Sequence, residues 1–301
     1  MYSAIAAVEH ALNQVILGKS SQIRLALCCL LAKGHLLLED LPGMGKTTLA
    51  HALASSLGLD YQRVQFTSDL LPADLTGFSV YDASRQQFSF RAGPVFSQVL
   101  LADEINRASP KTQSALLEAM EEQQVSVDGE SRPLPSPFFV IATQNPQYHS
   151  GTHPLPESQL DRFLMRLTLG FPDRAAELQL LQQQQQPKIA LPLLTAAQLL
   201  QIQQQIPQVH ASAALLNYLL DLLTQSRGRA DMQALSPRAG KALLLAAKAY
   251  AFLQQRNFVT SDDVQAVFAA VAEHRLQGTT NSVQHQAHFS QLLLAQTPCP
   301  V

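Results

Sequence analysis

Asp40-Leu-Pro-Gly-Met-Gly-Lys46-Thr47 decides the fold. It follows an apolar run, His35–Glu39, and precedes a helical pattern over 48–57. Strand, glycine-bearing turn and helix, in that order, make a phosphate-binding loop. Gly43 and Gly45 let successive backbone N–H groups turn toward phosphate oxygens, and the helix start adds the positive end of its dipole. Lys46 would reach the β- and γ-phosphates of ATP, and the Thr47 hydroxyl would ligate magnesium. The nucleotide-contacting set is then Pro42, Gly43, Met44, Gly45, Lys46, Thr47 and Thr48. Asp40 stands where such loops ordinarily begin with glycine; the glycines nearest the phosphates are intact. A second Gly-Lys-Ser, at Gly18, Lys19 and Ser20, follows no strand and reads as a helix break.

Downstream, Val99-Leu-Leu-Ala-Asp103-Glu104 is an apolar strand ending in two carboxylates. The carboxyl ends of parallel strands face the nucleotide crevice. Asp103 would hold magnesium there, and Glu104 would orient and deprotonate the attacking water. A protein that merely binds ATP has no need of Glu104.

The first half of the chain alternates short apolar runs with helical patterns. The runs at 35–39, 99–103 and 138–143 read as buried parallel strands, with 61–66 and 163–169 as outer ones. Ser109 and Pro110 open a helix over 109–123. This is the rhythm of an α/β doubly wound parallel sheet. After about Gly170 the strands stop. Thr195 with Gln198, and Thr260 with Asp263, read as capping boxes. Val264, Val267, Phe268 and Val271 form one helical stripe, and Ser236-Pro237 opens a long helix. The second half is therefore a smaller all-α domain, so the expected domains are 1–171 and 172–301. The glutamine run 182–186, ending at Pro187, reads as a solvated helix end.

The 301 residues, 47% hydrophobic, suffice for a large core. A formal charge of −2 and 15% charged residues argue against a partner rich in phosphates, such as nucleic acid. No apolar run reaches the roughly 18 residues of a membrane span, and the first residues lack the pattern of a signal peptide. Cys28, Cys29 and Cys299 form no disulfide framework. Cys28 and Cys29 read as core thiols, and a reducing cytoplasm is the expected compartment.

With these residues in place, the chain resembles the MoxR family of AAA+ ATPases over essentially its full length. The resemblance rests on Leu38 to Thr47, Gln65 to Gly77, Gly93-Pro-Val-Phe96, Asp103 to Pro110, Ala142-Thr-Gln-Asn-Pro146, Pro156 to Phe163 and Ser236-Pro-Arg-Ala239. A loop beginning with Asp40 is tolerated in that family. The resemblance implies an AAA+ core followed by a helical lid. It makes Asn145 the first sensor, contacting the γ-phosphate and the attacking water. Arg162 matches the arginine finger, with Arg166 a nearby rival. Arg238 matches the second sensor, contacting phosphate from the lid. Two inserts follow as well, at about 77–93 and 124–137. Val125 and Val127 before Asp128-Gly129 signal a hairpin independently. For Phe88 and Phe90, core packing and substrate contact are both open.

The implied function is hydrolysis of ATP with magnesium to remodel or mature partner proteins. The protein would work as a homo-oligomeric ring, a hexamer, because a finger acting in trans requires a neighbour. Partners with von Willebrand factor A domains are implied by the family. The alternative is a nucleotide-dependent binding switch or scaffold with little hydrolysis. A nucleic-acid motor is the third reading, for which Arg85, Arg91 and Arg132 supply too thin a basic cluster.

Overall fold

The computed structural model describes residues 2–84, 86–145, 152–182, 192–277 and 288–300. Arg85, Pro146 and the glutamine run after Gln182, through Pro187, lie outside the described residues.

Nine strands run along the described chain: β1 (His35–Glu39), β2 (Tyr61–Gln65), β3 (Gly77–Asp82), β4 (Gln87–Ala92), β5 (Val99–Asp103), β6 (Gln124–Val127), β7 (Glu130–Pro133), β8 (Phe139–Gln144) and β9 (Phe163–Leu167). Six helices accompany them: α1 (Tyr2–Val15), α2 (Ser20–Leu31), α3 (Lys46–Ser56), α4 (Pro72–Thr76), α5 (Pro110–Glu122) and α6 (Glu157–Leu160). Six more follow the last strand: α7 (Arg174–Gln182), α8 (Ala196–Gln205), α9 (Ala213–Arg227), α10 (Pro237–Leu253), α11 (Ser261–Leu276) and α12 (Phe289–Gln296).

Five strands form one parallel sheet in the order β2-β5-β8-β1-β9. All of β5 and β8 and most of β1 are buried, because helices cover both faces. Alternation divides the side chains between two apolar clusters. Leu36, Leu38, Val99, Leu101 and Ile141 face one way, toward α1, α2 and α3. Leu37, Leu100, Ala102 and Val140 face the other, toward Leu116, Leu117 and Met120 of α5. The runs read as outer strands, β2 and β9, are the two edges of the sheet. From β1 the chain leaves toward the β2 side, returns through β5 and β8, and then crosses to β9 beyond β1. The strand order therefore reverses beside β1, and a crevice opens at the carboxyl ends of β1 and β8.

The helical half is started by the caps read from the sequence. Thr195 and Gln198 exchange side-chain and backbone hydrogen bonds at 2.9 and 3.3 Å. The Thr260 N–H donates to Asp263 at 2.8 Å, and Arg256 closes an ion pair on the same buried carboxylate. Ser236 accepts from the Ala239 N–H at 3.1 Å with Pro237 at the first helical position. The apolar side chains of α8 to α12 join the cluster on the α2 side of the sheet, where α10 packs on α2. That continuity fixes where the start of α10 lies relative to the core.

Both inserts are two-stranded hairpins, β3 with β4 and β6 with β7. Asp128 and Gly129 turn the second with φ of 55° and 80°, the left-handed pair that a tight hairpin needs. Phe90 packs edge-on to Phe96, and the Arg132 guanidinium lies 4.1 Å over its ring, joining the two hairpins. Phe88, by contrast, is 73% exposed.

Candidate active site

The loop after β1 bends as its glycines allow. Gly43 and Gly45 have φ of 85° and 89°, where a side chain would be strained, and a Cβ on either would project into open space. Pro42 to Thr48 line a cavity of about 340 Å³ together with Asp103, Glu104 and Asn145. The loop lysine is folded into it: Lys46 Nζ donates to the carbonyls of Asp40 and Leu41 at 2.6 and 2.9 Å. Burial pulls this ammonium below its ordinary pKa, while Asp40, Asp103 and Glu104 pull it the other way. An anionic oxygen in the cavity would give the lysine a stronger partner than neutral carbonyls can.

Asp40 has a structural duty that glycine could not perform. Its carboxylate accepts the Gly170 N–H at 2.6 Å and its neighbour's N–H, Leu41, at 2.9 Å. The start of the loop is thereby tied to the chain leaving β9. Lys19, in the Gly-Lys-Ser decoy between α1 and α2, is buried and donates to the Phe171 carbonyl at 2.6 Å. It pins the same segment and does not line the loop cavity.

The two carboxylates are held by neighbouring strands. Thr143, at the end of β8, donates to Asp103 Oδ1 at 2.6 Å and accepts the Glu104 N–H at 2.9 Å. This one hydroxyl orients both residues. Glu104 itself sits at φ 57°, a left-handed conformation uncommon for a residue with a side chain. The turn throws its carboxylate sideways into the cavity. There Oε1 accepts from Asn145 Nδ2 at 2.9 Å, and Oε2 accepts from Gln65 Nε2 at 2.7 Å with Arg107 at 3.1 Å. Arg63 on β2 donates to Asp103 Oδ2 at 2.6 Å. Register explains these neighbours, since Gln65 lies directly beside Asp103 across the β2–β5 pairing.

These residues suit a magnesium nucleotide. Among the described residues no group of three or more His, Cys, Asp or Glu side chains could hold a metal ion alone. Two carboxylates, Asp103 and Glu104, and the hydroxyls of Thr47 and Thr48 border the cavity instead, and of these Asp103 and Thr47 are the ones that would hold magnesium. Magnesium takes few protein oxygens, keeps several waters and completes its shell with phosphates, and this donor set fits that habit.

Arg162 and Arg238 lie elsewhere. Both line a second cavity, of about 360 Å³, bordered by the turn between α2 and β1 and by α5, β9, α10 and α11. Arg162 is ion-paired with Glu121 at the end of α5 and donates to the Leu117 carbonyl at 3.4 Å. Its Nε is buried without a partner. Arg238 donates to the other oxygen of Glu121 at 2.7 Å and stands 3.8 Å from Asp161. Arg238, expected to contact phosphate from the lid, does not line the loop cavity of its own chain. Packing of α10 on α2 and α11 leaves its first turn against the end of α5, among residues that do not line the loop cavity. The rival finger, Arg166, is engaged inside the chain, bridging Glu39 at 3.1 Å and Gln277 at 2.6 Å.

Sequence reasoning singled out neither Thr143 nor Arg63, Gln65 and Glu121. A threonine or glutamine at a strand end carries no signal by itself; only strand order makes it a neighbour of the carboxylates. Gln65 and Thr143 did fall in stretches that carried the family resemblance, without a role attached.

The sequence matches the family of ATPases associated with various cellular activities (AAA) over residues 35–165, and the AAA lid domain over residues 229–292. It is 47% identical to the uncharacterised protein YeaC of Bacillus subtilis, across 90% of this chain and 85% of that protein. It is 38% identical to the chaperone MoxR1 of Mycobacterium tuberculosis, across 88% of this chain and 73% of the relative. The crystal structure of a candidate ATPase from Cytophaga hutchinsonii superposes with a TM-score of 0.89 at 33% identity, covering 100% of this chain and 96% of that one.

Proposed function

This chain belongs to the MoxR family of AAA+ ATPases, and from that premise we propose that it hydrolyses ATP with magnesium to remodel partner proteins, working as a ring. The observation that carries the proposal is the meeting of Lys46, Asp103, Glu104 and Asn145 in one cavity, although they come from three separated stretches of the chain.

In this reading the loop from Pro42 to Thr48 cradles the phosphates, and Lys46 exchanges its carbonyl partners for phosphate oxygens. Thr47 and Asp103 hold magnesium, which neutralises charge on the phosphates when bound. Glu104 takes the proton from the attacking water, and Asn145 holds that water in line. Three contacts, from Gln65, Asn145 and Arg107, occupy the Glu104 carboxylate, so it must be released before it can act as a base. Steady-state ATPase rates of the wild type and Glu104→Gln test this reading. The variant should fall about 10²–10⁴-fold while still binding nucleotide; equal rates would remove the enzymatic claim.

Arg162 and Arg238 would serve the pocket of a neighbouring subunit, because both border a cavity away from their own loop. The ring is inferred from that need, and six members from the family. The partners would be proteins matured or remodelled by the motor, including ones with von Willebrand factor A domains. We place the boundary between core and lid near Phe171 and Pro172, and the protein in the cytoplasm. No helix among the described residues is long and apolar enough to cross a membrane. A switch with little hydrolysis is the second reading, favoured by the triple hold on Glu104. Turnover at background with every partner tried would select it.

A further inference from the structure

The second cavity is unbalanced in charge. Lys33, Arg162, Arg238, Lys241 and Arg275 border it, against the carboxylates of Glu121 and Asp161. Asp161 is committed to the lid, because Arg275, whose side chain is only 7% exposed, donates to its Oδ1 at 2.6 Å. Glu121 is different. One oxygen pairs with Arg162 and the other with Arg238, so a single carboxylate at the end of α5 holds the finger and the lid arginine together. Arg238 remains 56% exposed and Glu121 34% exposed, so the group is open to an incoming anion.

Two guanidinium groups converging on one carboxylate form the arrangement that binds a phosphoryl group, with planar donors matched to paired oxygens. A triphosphate carries more charge than one carboxylate and offers more acceptor oxygens. It can therefore compete with Glu121 for both arginines at once.

We propose that Glu121 is the resting counter-ion of the Arg162–Arg238 pair, displaced by the triphosphate of a neighbouring subunit, so that the ring closes on nucleotide-loaded neighbours. This rests on the reading that both arginines act in trans. Glu121 is then a positioning residue. It holds both guanidinium groups in place while no neighbour is docked, and it competes with the neighbour's nucleotide for them. Assembly and nucleotide binding are coupled as a result, because docking against an empty pocket would leave Glu121 paired and nothing gained.

The test follows association by sedimentation velocity as ATP is raised, in full-length protein carrying Glu104→Gln to suppress turnover. Adding Glu121→Gln removes the competing charge but keeps the shape. Half-assembly should then need about tenfold less ATP, the scale of one close interfacial charge pair. The gain should vanish when Arg162→Ala is added. A contact that merely fastened α5 to α10 predicts the opposite, a lower melting temperature together with weaker assembly, and that outcome overturns the proposal. So does an unchanged ATP midpoint. Failure of the underlying reading looks different: Arg162→Ala in the otherwise wild-type protein would hydrolyse ATP normally, or no variant would associate with ATP at all.

Discussion

The phosphate pocket takes seven of its ten lining residues from one unbroken run, 42–48, whereas the arginine cavity draws on five separated stretches between Ala32 and Arg275. The volumes are close, about 340 and about 360 Å³. Their chemistry is opposed: one presents backbone N–H groups and a lysine beside two carboxylates, the other an excess of cations around Glu121, a carboxylate shared by two guanidinium groups. A pocket made by a local turn can be complete within a subunit. A cavity lined by surplus cations is complete only when an anion arrives from outside. In the proposed ring the two cavities would be the two halves of one centre divided between neighbours.

The strongest way to break this comparison is to disable each half separately. Arg162→Ala should lower turnover by about 10³-fold, with nucleotide still bound by the isolated subunit. Mixing equal amounts of Arg162→Ala and Glu104→Gln should then restore about a quarter of wild-type turnover, because half the pockets keep their base and half of those meet an intact finger. A finger serving its own chain restores nothing, and coupled-enzyme assays of the mixture distinguish the two.

Acid should strike the arginine side first. His35, which borders that cavity, is buried, and burial lowers its pKa from 6.5 to about 4. Its Nδ1 accepts the Val140 N–H at 3.0 Å, a role open only to the neutral ring. His274, beside Arg275, is also pushed well below its ordinary value, by burial and then by Arg275 and Arg166. A depressed folded-state pKa means that the unfolded chain binds more protons between the two values. Stability is thus full above pH 6.5 and falls as pH drops toward 4, by about 3 kcal/mol for His35 alone. Melting curves between pH 7.5 and 4.5 check this, and a flat profile contradicts it.

A smaller effect is expected at the phosphate pocket from Thr143→Val. The substitution keeps the shape, orphans the Glu104 N–H and removes a donor from Asp103, at a cost of about 2 kcal/mol. Turnover should fall about tenfold, with a modest drop in melting temperature. Unchanged kinetics would show that the hydroxyl orients neither carboxylate. Least of all should come from Arg166→Ala, about 1 kcal/mol of stability, read as a shift of a few degrees. A loss of turnover as large as that of Arg162→Ala would reverse the choice between the two arginines.

The uneven legibility of the two cavities follows the same division. Asp40 to Thr47 encodes its own geometry, because positive φ at Gly43 and Gly45 and the helix start at Lys46 are settled within a few residues. Asp103 and Glu104 were legible as an apolar strand ending in charge, and the capping boxes at Thr195 and Thr260 as short-range exchanges of hydrogen bonds. Thr143, Gln65 and Arg63 were not, because their value comes from lying beside β5 in the sheet.

By itself, then, the sequence determined the phosphate loop, the paired carboxylates, the α/β order of the core and the helical lid that follows it. Each depends on interactions spanning only a few residues or on simple periodicity. Tertiary structure alone decided what Asp40 ties down, why Arg166 is engaged inside the chain, and which cavity Arg238 faces. Those outcomes depend on how α10 and α11 pack across α2 and β9, a long-range burial that sums over many side chains.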